Sequence, residues 1–379
     1  MIFWLVFLTA FVLALLFTPV AIKLAPKIGA VDIPKDGRRM HTKPMPRFGG
    51  LAIFIGTTAT FILFLRDEPA YLGLLWGGIL IYLLGIIDDL KGMPAKVKLL
   101  GQIGCASVAY AFGVRISFIT AHFAYEGHIF FGGAACYIIT VVWIVGITNT
   151  INLIDGLDGL AAGVSAIASL CIAYTAYIHG YYPATLAMLA VAGGALGFLP
   201  FNFHPAKIFM GDGGSLFLGF MLASISTAGS LKSSALIATA IPVLVLGIPI
   251  FDTAFAIFRR LINHRPIMEA DKGHLHHRLI AEGFGQRRAV LMLYGISAIM
   301  GVAAVMLSRD LFVEAAGLVA IAAMYIYVFL TDANHWRLSI KNDAATKAGP
   351  GGGNGEGSAA TPAVSAKETG TEENGGGDK

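Results

Sequence analysis

The chain of 379 residues consists mainly of apolar runs of about 20 residues, separated by short polar segments. A helix of roughly that length crosses the ~30 Å hydrocarbon core of a bilayer. With 56% hydrophobic and only 13% charged residues, the chain has more apolar surface than a soluble domain could bury. We therefore predict an all-α polytopic membrane protein with eleven spans, at residues 2–22, 48–65, 70–87, 97–113, 134–150, 159–178, 183–200, 214–230, 234–258, 289–307 and 311–330.

The basic residues predict how these spans are oriented. If the N-terminus lies outside, the inner loops and the tail hold 23 of the 27 lysines and arginines, and the exceptions are Arg66, Arg115, Lys232 and Arg309. Inner loops of membrane proteins carry such an excess of positive charge. This predicts a multi-pass protein of the bacterial cytoplasmic (inner) membrane, with the C-terminus in the cytoplasm.

Three segments depart from the pattern of simple spans. Residues 114–131 alternate apolar and polar side chains, which predicts a small external β-hairpin. The ninth span contains Pro242 and Pro249, which predict a kink. From about residue 342 the chain lacks aromatic residues, so we expect a transmembrane domain at 1–335 and a disordered cytoplasmic tail at 336–379.

Positive charge concentrates in the inner segments 23–47 and 259–288. Such a surface suits anionic membrane lipids or a phosphorylated substrate, although these residues could also serve only to set the topology. No basic helical face or aromatic stacking module accompanies them, so we predict no nucleic-acid partner.

Four polar clusters fall on the predicted cytoplasmic side, where carboxylates at helix ends are expensive and suggest function. The first is Asp88-Asp89, placed after the third span and followed by Lys96 and Lys98. Adjacent carboxylates cannot share one helix face, so one is expected to meet a cation and the other water, a lysine or the substrate. A solvated helix end paired with lysines is the alternative.

The second cluster carries Asn149, Asn152, Asp155 and Asp158, which recur every three residues. That spacing lines polar groups along one side of a helix. Glycines at 156 and 159 allow a ligand to approach the backbone closely. We interpret this cluster as a binding site.

The third cluster runs from Phe201 to Ser215 and leads into the eighth span. The free amides of a helix N-terminus favour a phosphate, and Asp212 could hold the magnesium ion that accompanies it. Phe209 is placed to stack on a base. The alternatives are a simple N-cap for Asp212 and an interfacial aromatic for Phe209.

The fourth cluster, in the basic loop after the ninth span, contains His274, His276, His277 and Arg278. No cysteine or well-spaced acid completes a zinc site. Hydrogen bonds to a pyrophosphate are the preferred interpretation.

Together these residues resemble the polyprenyl-phosphate N-acetylhexosamine-1-phosphate transferase family. Its motifs are DD after a helix, NxxNxxDGxDGLA, FMGDxGS and a His-rich loop, and all four occur here in that order over about residues 1–330. The HLHHRL sequence resembles the branch that uses UDP-N-acetylglucosamine to begin cell-surface polymers such as teichoic acids. Several relatives extend the first motif to DDxxD, whereas this chain has Gly92 at the third acid's position.

The resemblance implies roles for particular residues. It assigns catalysis to Asp88, Asp89, Lys98, His274, His276 and His277, and substrate binding to Asn149, Asn152, Asp155, Asp158, Asn202, Phe209, Arg47 and Arg278. Asp212, Asp88 and Asn152 are the implied metal ligands, for Mg²⁺ or alternatively Mn²⁺.

The implied reaction transfers the sugar phosphate of a UDP-N-acetylhexosamine to undecaprenyl or another polyprenyl phosphate and releases UMP, with the active site facing the cytoplasm. A lipid-linked sugar transporter or flippase is the alternative, but its charges should lie at mid-membrane. CDP-alcohol phosphotransferases share Asp-rich loops but need different residues after Asp158-Gly159. The sequence leaves the assembly open, a homodimer included.

Overall fold

The computed structural model describes residues 1–33, 44–66, 70–120, 128–228, 243, 244, 247 and 285–328. Most of the predicted ninth span, including both prolines of its predicted kink, lies outside these residues, as do the His-rich loop and the C-terminal tail. Within them the chain forms ten helices: α1 Ile2–Ile28, α2 Gly50–Phe64, α3 Ala70–Lys91, α4 Ala95–Ala111, α5 Gly133–Ile154, α6 Leu160–Ile178, α7 Tyr182–Asn202, α8 Gly211–Ala228, α9 Gln286–Leu307 and α10 Phe312–Val328.

Six of these helices, α1, α3, α5, α6, α7 and α9, are long and apolar enough to cross a membrane. The protein is therefore a mostly helical, multi-pass membrane protein. The count of eleven spans and their sidedness remain predictions. Among the described helices, α8 is the most deeply enclosed and packs against α3 and α5, with Leu216, Phe217 and Leu218 fully buried.

Two short antiparallel strand pairs accompany the helices. Strand β1 (Val31–Asp32) pairs with β2 (Met45–Pro46), and β3 (Phe118–Thr120) pairs with β4 (His128–Phe130). The second pair lies within the segment for which we predicted a hairpin, and its turn is outside the described residues. Its position outside the membrane stays a prediction.

Several helices extend beyond the apolar runs that predicted them. Helix α3 continues to Lys91, so Asp88 and Asp89 lie in its last turn and not after it. Helix α5 likewise continues through Asn152 to Ile154. The apolar pattern underestimates these helices because their polar ends find partners on other helices. Gly92, with φ of 67°, follows the end of α3, and its N–H donates to the Asp88 carbonyl.

Glycine contacts draw three helices together at the polar end of the bundle. A Cβ on Gly85 of α3 would lie 2.5 Å from Gly213 Cα, and a Cβ on Gly50 of α2 would lie 2.3 Å from Gly214 N. Contacts this short leave no room for any side chain at these positions. The backbones of α2 and α3 thereby reach the first turn of α8 directly.

Candidate active site

Four helices meet around the ammonium group of Lys98, which lies near the start of α4. Lys98 Nζ is 2.8 Å from Asp88 Oδ2 at the end of α3 and 3.1 Å from Asp212 Oδ2 at the start of α8. It also donates to Asn152 Oδ1 on α5, at 3.2 Å. The side chains of Lys98, Asp88 and Asp212 are only 16%, 9% and 18% exposed. Oxygens from three helices thus converge on one cation in a largely enclosed space.

Asn152 links the carboxylate of Asp212 to the first turn of α8. Its Nδ2 group donates to Asp212 Oδ1 and to Ser215 Oγ, each at 2.8 Å. The Ser215 hydroxyl in turn donates to the Gly211 carbonyl. These bonds fix the orientation of the amide, so that the Asn152 oxygen faces Lys98 and accepts from its ammonium group together with the carboxylates of Asp88 and Asp212.

Asp89 turns away from Lys98 and binds the N-terminus of α8. Consecutive helical residues point about 100° apart, so the two neighbouring carboxylates diverge. Asp89 Oδ1 accepts the N–H of Asp212 at 2.8 Å, and Asp89 Oδ2 accepts the N–H of Gly213 at 2.9 Å. Gly211, with φ of 75°, would bring a Cβ within 2.6 Å of Asp89 Oδ2. With 2% of its side chain exposed, Asp89 holds α8 in position through backbone amides.

Asp88 has a second partner beside Lys98. Its Oδ1 accepts the N–H of Met93 at 2.7 Å, in the turn between α3 and α4. This bond orients the carboxylate, while Oδ2 stays directed towards the cation. Of the two acids in the first motif, Asp88 is therefore the one that faces the enclosed centre.

Arg47 adds a second cation on the opposite side of Asp212. Its Nε lies 2.9 Å from Asp89 Oδ1, and its Nη2 lies 3.1 Å from Asp212 Oδ1. Burial lowers the pKa of Arg47, but the carboxylates of Asp89 and Asp212 outweigh that effect and raise it above the ordinary value. The side chain is 37% exposed and forms one rim of the site.

Backbone pairing holds the segment that carries Arg47. The Arg47 N–H donates to the Ala30 carbonyl beside β1. On its other side the Phe209 N–H donates to the Pro46 carbonyl, and the Gly49 N–H donates to the Phe209 carbonyl. Phe209 is half-buried in this arrangement. The pairing places the predicted base-stacking residue and Arg47 side by side.

The loop between α5 and α6 carries two further acids with different environments. Asp155 is half-buried, and burial raises the pKa of its carboxyl group well above the usual range. Arg47 opposes this rise, while the negative charges of Asp212, Asp89 and Asp158 reinforce it. A carboxyl group with a raised pKa is stabilised by a bound cation when it is ionised and by a nearby hydrogen-bond acceptor when it is protonated.

Asp158 and Asn202 tie that loop to the segment between α7 and α8. Asp158 Oδ2 lies 2.7 Å from His204 Nδ1 and accepts the Ala206 N–H at 3.1 Å. Asn202, 2% exposed, accepts the Gly159 N–H at 3.0 Å and donates to the Ile208 carbonyl at 3.0 Å. Both residues were predicted to bind substrate, yet the contacts seen here join two loops.

Helix α9 contacts both of these loops. Tyr294 Oη donates to the Gly159 carbonyl at 2.5 Å, and Arg287 Nε donates to the His204 carbonyl at 2.8 Å. The tyrosine ring fills the space above Gly163, where a Cβ would overlap it at 2.0 Å. Helix α9 thereby holds both loops in position beside Asp155.

The donor set around Lys98 fits a hard divalent cation. Asp88, Asp212 and Asn152 present oxygen atoms to the single point now contacted by the ammonium group. Mg²⁺ commonly uses one or two carboxylates together with substrate phosphates. Among the described residues, no group of three or more His, Cys, Asp or Glu side chains suited to a metal ion occurs.

The predicted site residues therefore separate into four groups, one of which lies in the loops and the rim beside the centre and consists of Asp155, Asp158, Asn202 and Phe209. Those around the enclosed centre are Asp88, Lys98, Asn152, Asp212, Arg47 and, behind it, Asp89. Asn149 instead pairs with Gln102, one turn further along the helices. His274, His276, His277 and Arg278 lie outside the described residues. The sequence did not point to Gln102, Arg287 or Tyr294, although Gln102 was visible as an amide inside a predicted span; His204 and Ser215 belong to the third cluster but were given no role of their own.

Comparisons with known proteins agree on one family. Residues 71–230 match the model for glycosyl transferase family 4. A Bacillus subtilis protein named "Probable undecaprenyl-phosphate N-acetylglucosaminyl 1-phosphate transferase" is 46% identical over 302 residues, which cover 79% of this chain and 84% of the relative. The decaprenyl-phosphate N-acetylglucosaminephosphotransferase of Mycobacterium tuberculosis is 36% identical over 76% of this chain and 78% of its own. A phospho-N-acetylmuramoyl-pentapeptide-transferase of Bacillus pumilus is 29% identical, over 77% and 93%.

Proposed function

Because this chain belongs to glycosyl transferase family 4, we propose that it transfers N-acetylglucosamine 1-phosphate to a polyprenyl phosphate such as undecaprenyl phosphate. The donor is UDP-N-acetylglucosamine and the second product is UMP. Support for N-acetylglucosamine comes from the two relatives named for it, both of which are more similar to this chain than the muramoyl-pentapeptide transferase is.

One structural observation carries the proposal: an ammonium group held between two carboxylates at the shared polar end of four helices. Charges gathered at helix ends suit a reaction between a soluble nucleotide and a lipid phosphate at the membrane surface. A transporter would need polar groups along a path through the bilayer. The described helices α5, α6 and α7 contain no charged residue at all.

The reaction needs an oxygen of the lipid phosphate to attack the sugar-linked phosphorus of the donor while UMP leaves. Both reactants are anions, so positive charge is required to bring them together. Lys98 and Arg47 supply two such charges on either side of Asp212. The second pKa of a phosphate monoester is about 6, so the acceptor is already largely ionised at neutral pH.

Asp88 is the residue best placed to orient the acceptor phosphate or to remove its remaining proton. Its Oδ2 faces the enclosed centre, and Met93 fixes its other oxygen. Asp89 has both oxygens engaged by the amides of α8, which supports a role in positioning Asp212. In our proposal the two acids of the first motif therefore act differently.

Asp88, Asp212 and Asn152 would hold Mg²⁺, with Mn²⁺ as an alternative, and the ion would neutralise charge on the transferred phosphoryl group. Lys98 now contacts Asp88 Oδ2 and Asp212 Oδ2, so its ammonium group would move towards the substrate phosphates when a metal ion is held, whereas Arg47 contacts Asp212 through the other oxygen, Oδ1. Lys98 would thus have an anionic partner in both states, the carboxylates without the metal ion and the substrate phosphates with it, and Arg47 would keep Asp89.

The orientation of the site follows from the distribution of basic residues. Lys91, Lys96 and Lys98 surround the polar end at the α3–α4 turn, and Lys23 and Lys27 end α1 at the same level of the predicted topology. An excess of positive charge marks the inner face of membrane proteins. We propose that the site faces the cytoplasm of a bacterial inner membrane.

The test is to incubate the purified protein in detergent with Mg²⁺, undecaprenyl phosphate and single UDP-sugars, and to measure UMP. We expect UMP with UDP-N-acetylglucosamine, little with UDP-glucose, and loss of UMP in Asp88→Asn. Glu314→Gln, which changes an exposed acid in α10, is the matched control. An absence of UMP with every N-acetylhexosamine donor would overturn the proposal.

The same assay distinguishes a one-step from a two-step reaction. If the donor phosphoryl group first moved to an aspartate, UMP would appear from enzyme and donor without lipid. We propose the one-step route, because Asp88 is held by both Lys98 and Met93. A stoichiometric burst of UMP in the absence of lipid would refute it.

A further inference from the structure

Gln102 of α4 and Asn149 of α5 form a reciprocal amide pair inside the bundle. Gln102 Nε2 donates to Asn149 Oδ1 at 3.2 Å, and Asn149 Nδ2 donates to Gln102 Oε1 at 2.6 Å and to the Val145 carbonyl at 2.8 Å. Gln102 is 1% exposed. The protein itself engages both ends of the Asn149 amide, which we had predicted to bind substrate.

This pair stands one helical turn from the centre of the site. Gln102 follows Lys98 by four residues, and Asn149 precedes Asn152 by three. Residues at these spacings lie on the same face of a helix. Helices α4 and α5 are therefore joined by two successive polar contacts. Lys98 contacts Asn152 at the active centre, and Gln102 contacts Asn149 behind it.

The pair is a directional contact in the buried part of the α4–α5 interface, whereas the bond between Ser107 and Tyr137 lies in its exposed part. The other buried residues of α4 are Cys105, Ala106 and Ala109, which are small and can slide past a neighbour at little cost. An amide pair cannot slide, because moving either partner by one turn leaves buried donors and acceptors without hydrogen bonds. Interhelical amide bonds of this kind are characteristic of membrane bundles.

We propose that Gln102 is a positioning residue for the transfer reaction. Together with Asn149 it sets the register of α4 against α5, and thereby holds the flexible side chain of Lys98 between Asp88, Asp212 and Asn152. The inference rests on the proposed function and assigns to Gln102 an effect on turnover, exerted through Lys98.

The decisive comparison is between Gln102→Leu and the double variant Gln102→Leu/Asn149→Leu. The single change leaves the Asn149 amide short of a partner and lowers the melting temperature. The double change replaces both amides by apolar groups, which can be nearly neutral for stability. We expect the double variant to melt near the wild type, yet to keep a kcat at least about tenfold lower, since small misplacements of a reacting group are this costly.

A purely structural role predicts the opposite result, because activity would then return together with the melting temperature. A double variant with wild-type kcat would overturn the proposal. So would a KM for UDP-N-acetylglucosamine that rises while kcat is unchanged, since that would return Asn149 to the nucleotide site.

Two further variants complete the experiment. In a Lys98→Gln background, Gln102→Leu should lower the residual rate by less than about twofold, because residues that act through one another are not additive. A full additional loss would contradict the inference. Ser107→Ala is the matched control, since it removes the bond at 2.9 Å between Ser107 Oγ and Tyr137 Oη, another α4–α5 contact further from Lys98, and should leave kcat unchanged.

Failure of the proposed function is recognised separately, as an absence of UMP from the wild type with any donor. If Gln102→Leu cannot be purified, Gln102→Glu takes its place. Its carboxylate accepts from Asn149 Nδ2 but cannot donate, and it should give an intermediate kcat. A wild-type kcat in Gln102→Glu would count against the inference.

Discussion

Replacing Asp89 with asparagine tests whether this acid builds the site or reacts in it. Two backbone donors, the N–H groups of Asp212 and Gly213, converge on its two oxygens, and the side chain is 2% exposed. Asparagine has only one acceptor oxygen, so one of the two N–H groups would face an NH₂ group. The first turn of α8 should loosen, and Asp212 would move with it.

The magnitude follows from the contacts. A hydrogen bond to a charged group contributes about 1.5–3 kcal/mol, and a negative charge at a helix N-terminus contributes up to about 2 kcal/mol in a partly buried setting. The ion pair with Arg47 adds little, because that side chain is 37% exposed and screened by solvent. Burial of the Asp89 charge costs free energy that offsets the helix-end contribution, so loss of one bond gives about 2 kcal/mol, or a melting temperature about 4 °C lower at about 2 °C per kcal/mol.

The assay is thermal unfolding in detergent, followed by tryptophan fluorescence, with UMP release measured on the same samples. Asp88→Asn is the matched control. Its two oxygens meet Met93 N–H and Lys98, and Lys98 retains Asp212 and Asn152. We expect Asp88→Asn to melt near the wild type and to lose about 100-fold or more in turnover, as for a general base. If Asp89→Asn melts like the wild type and loses as much turnover as Asp88→Asn, the reasoning is wrong.

Three other predictions concern the remainder of the site. The pKa of Asp155 is raised in the folded protein, so the fold loses stability as the pH rises from the ordinary carboxyl pKa to the folded-state pKa. Asp155→Asn removes this loss and should therefore raise the melting temperature at pH 8 more than at pH 5. An increase that is equal at the two pH values, or a decrease at pH 8, would contradict this. Tyr294→Phe removes the hydrogen bond to the Gly159 carbonyl and should raise KM for the UDP-sugar about fivefold, equivalent to about 1 kcal/mol, with kcat little changed. Gly85→Ala places a Cβ 2.5 Å from Gly213 Cα and should abolish UMP release in protein that still extracts as a monodisperse species; a normal rate would show that α3 and α8 can separate without consequence.

Much of the fold and the family followed from the sequence. Apolar runs of spanning length predicted the helices, and four motifs in order identified the family, which the comparisons confirm. Helix ends were less accessible to this reasoning. The end of α3 and the beginning of α8 depend on partners far apart in the chain, such as Asp89 with the amides of Asp212 and Gly213, and apolar periodicity carries no information on those.

The site was predicted as a set of polar residues, without their directions. Spacing could show that Asn149 and Asn152 share a helix face, but not that Gln102 engages the first and Asp212 the second. Asn202 is the clearest example, since the family resemblance implied a substrate contact and its buried amide joins two loops. The roles assigned to the site residues remain predictions.

The glycine contacts between α2, α3 and α8 have a consequence for how sequences of this kind can vary. Glycine is the smallest residue, so every substitution at Gly50, Gly85 or Gly214 adds atoms to a space that has none to spare. Resistance to an inhibitor that fills the enclosed centre is therefore not expected from substitutions at these glycines. Variants that escape such a compound should instead map to the exposed rim, where Arg47 and Phe209 lie side by side.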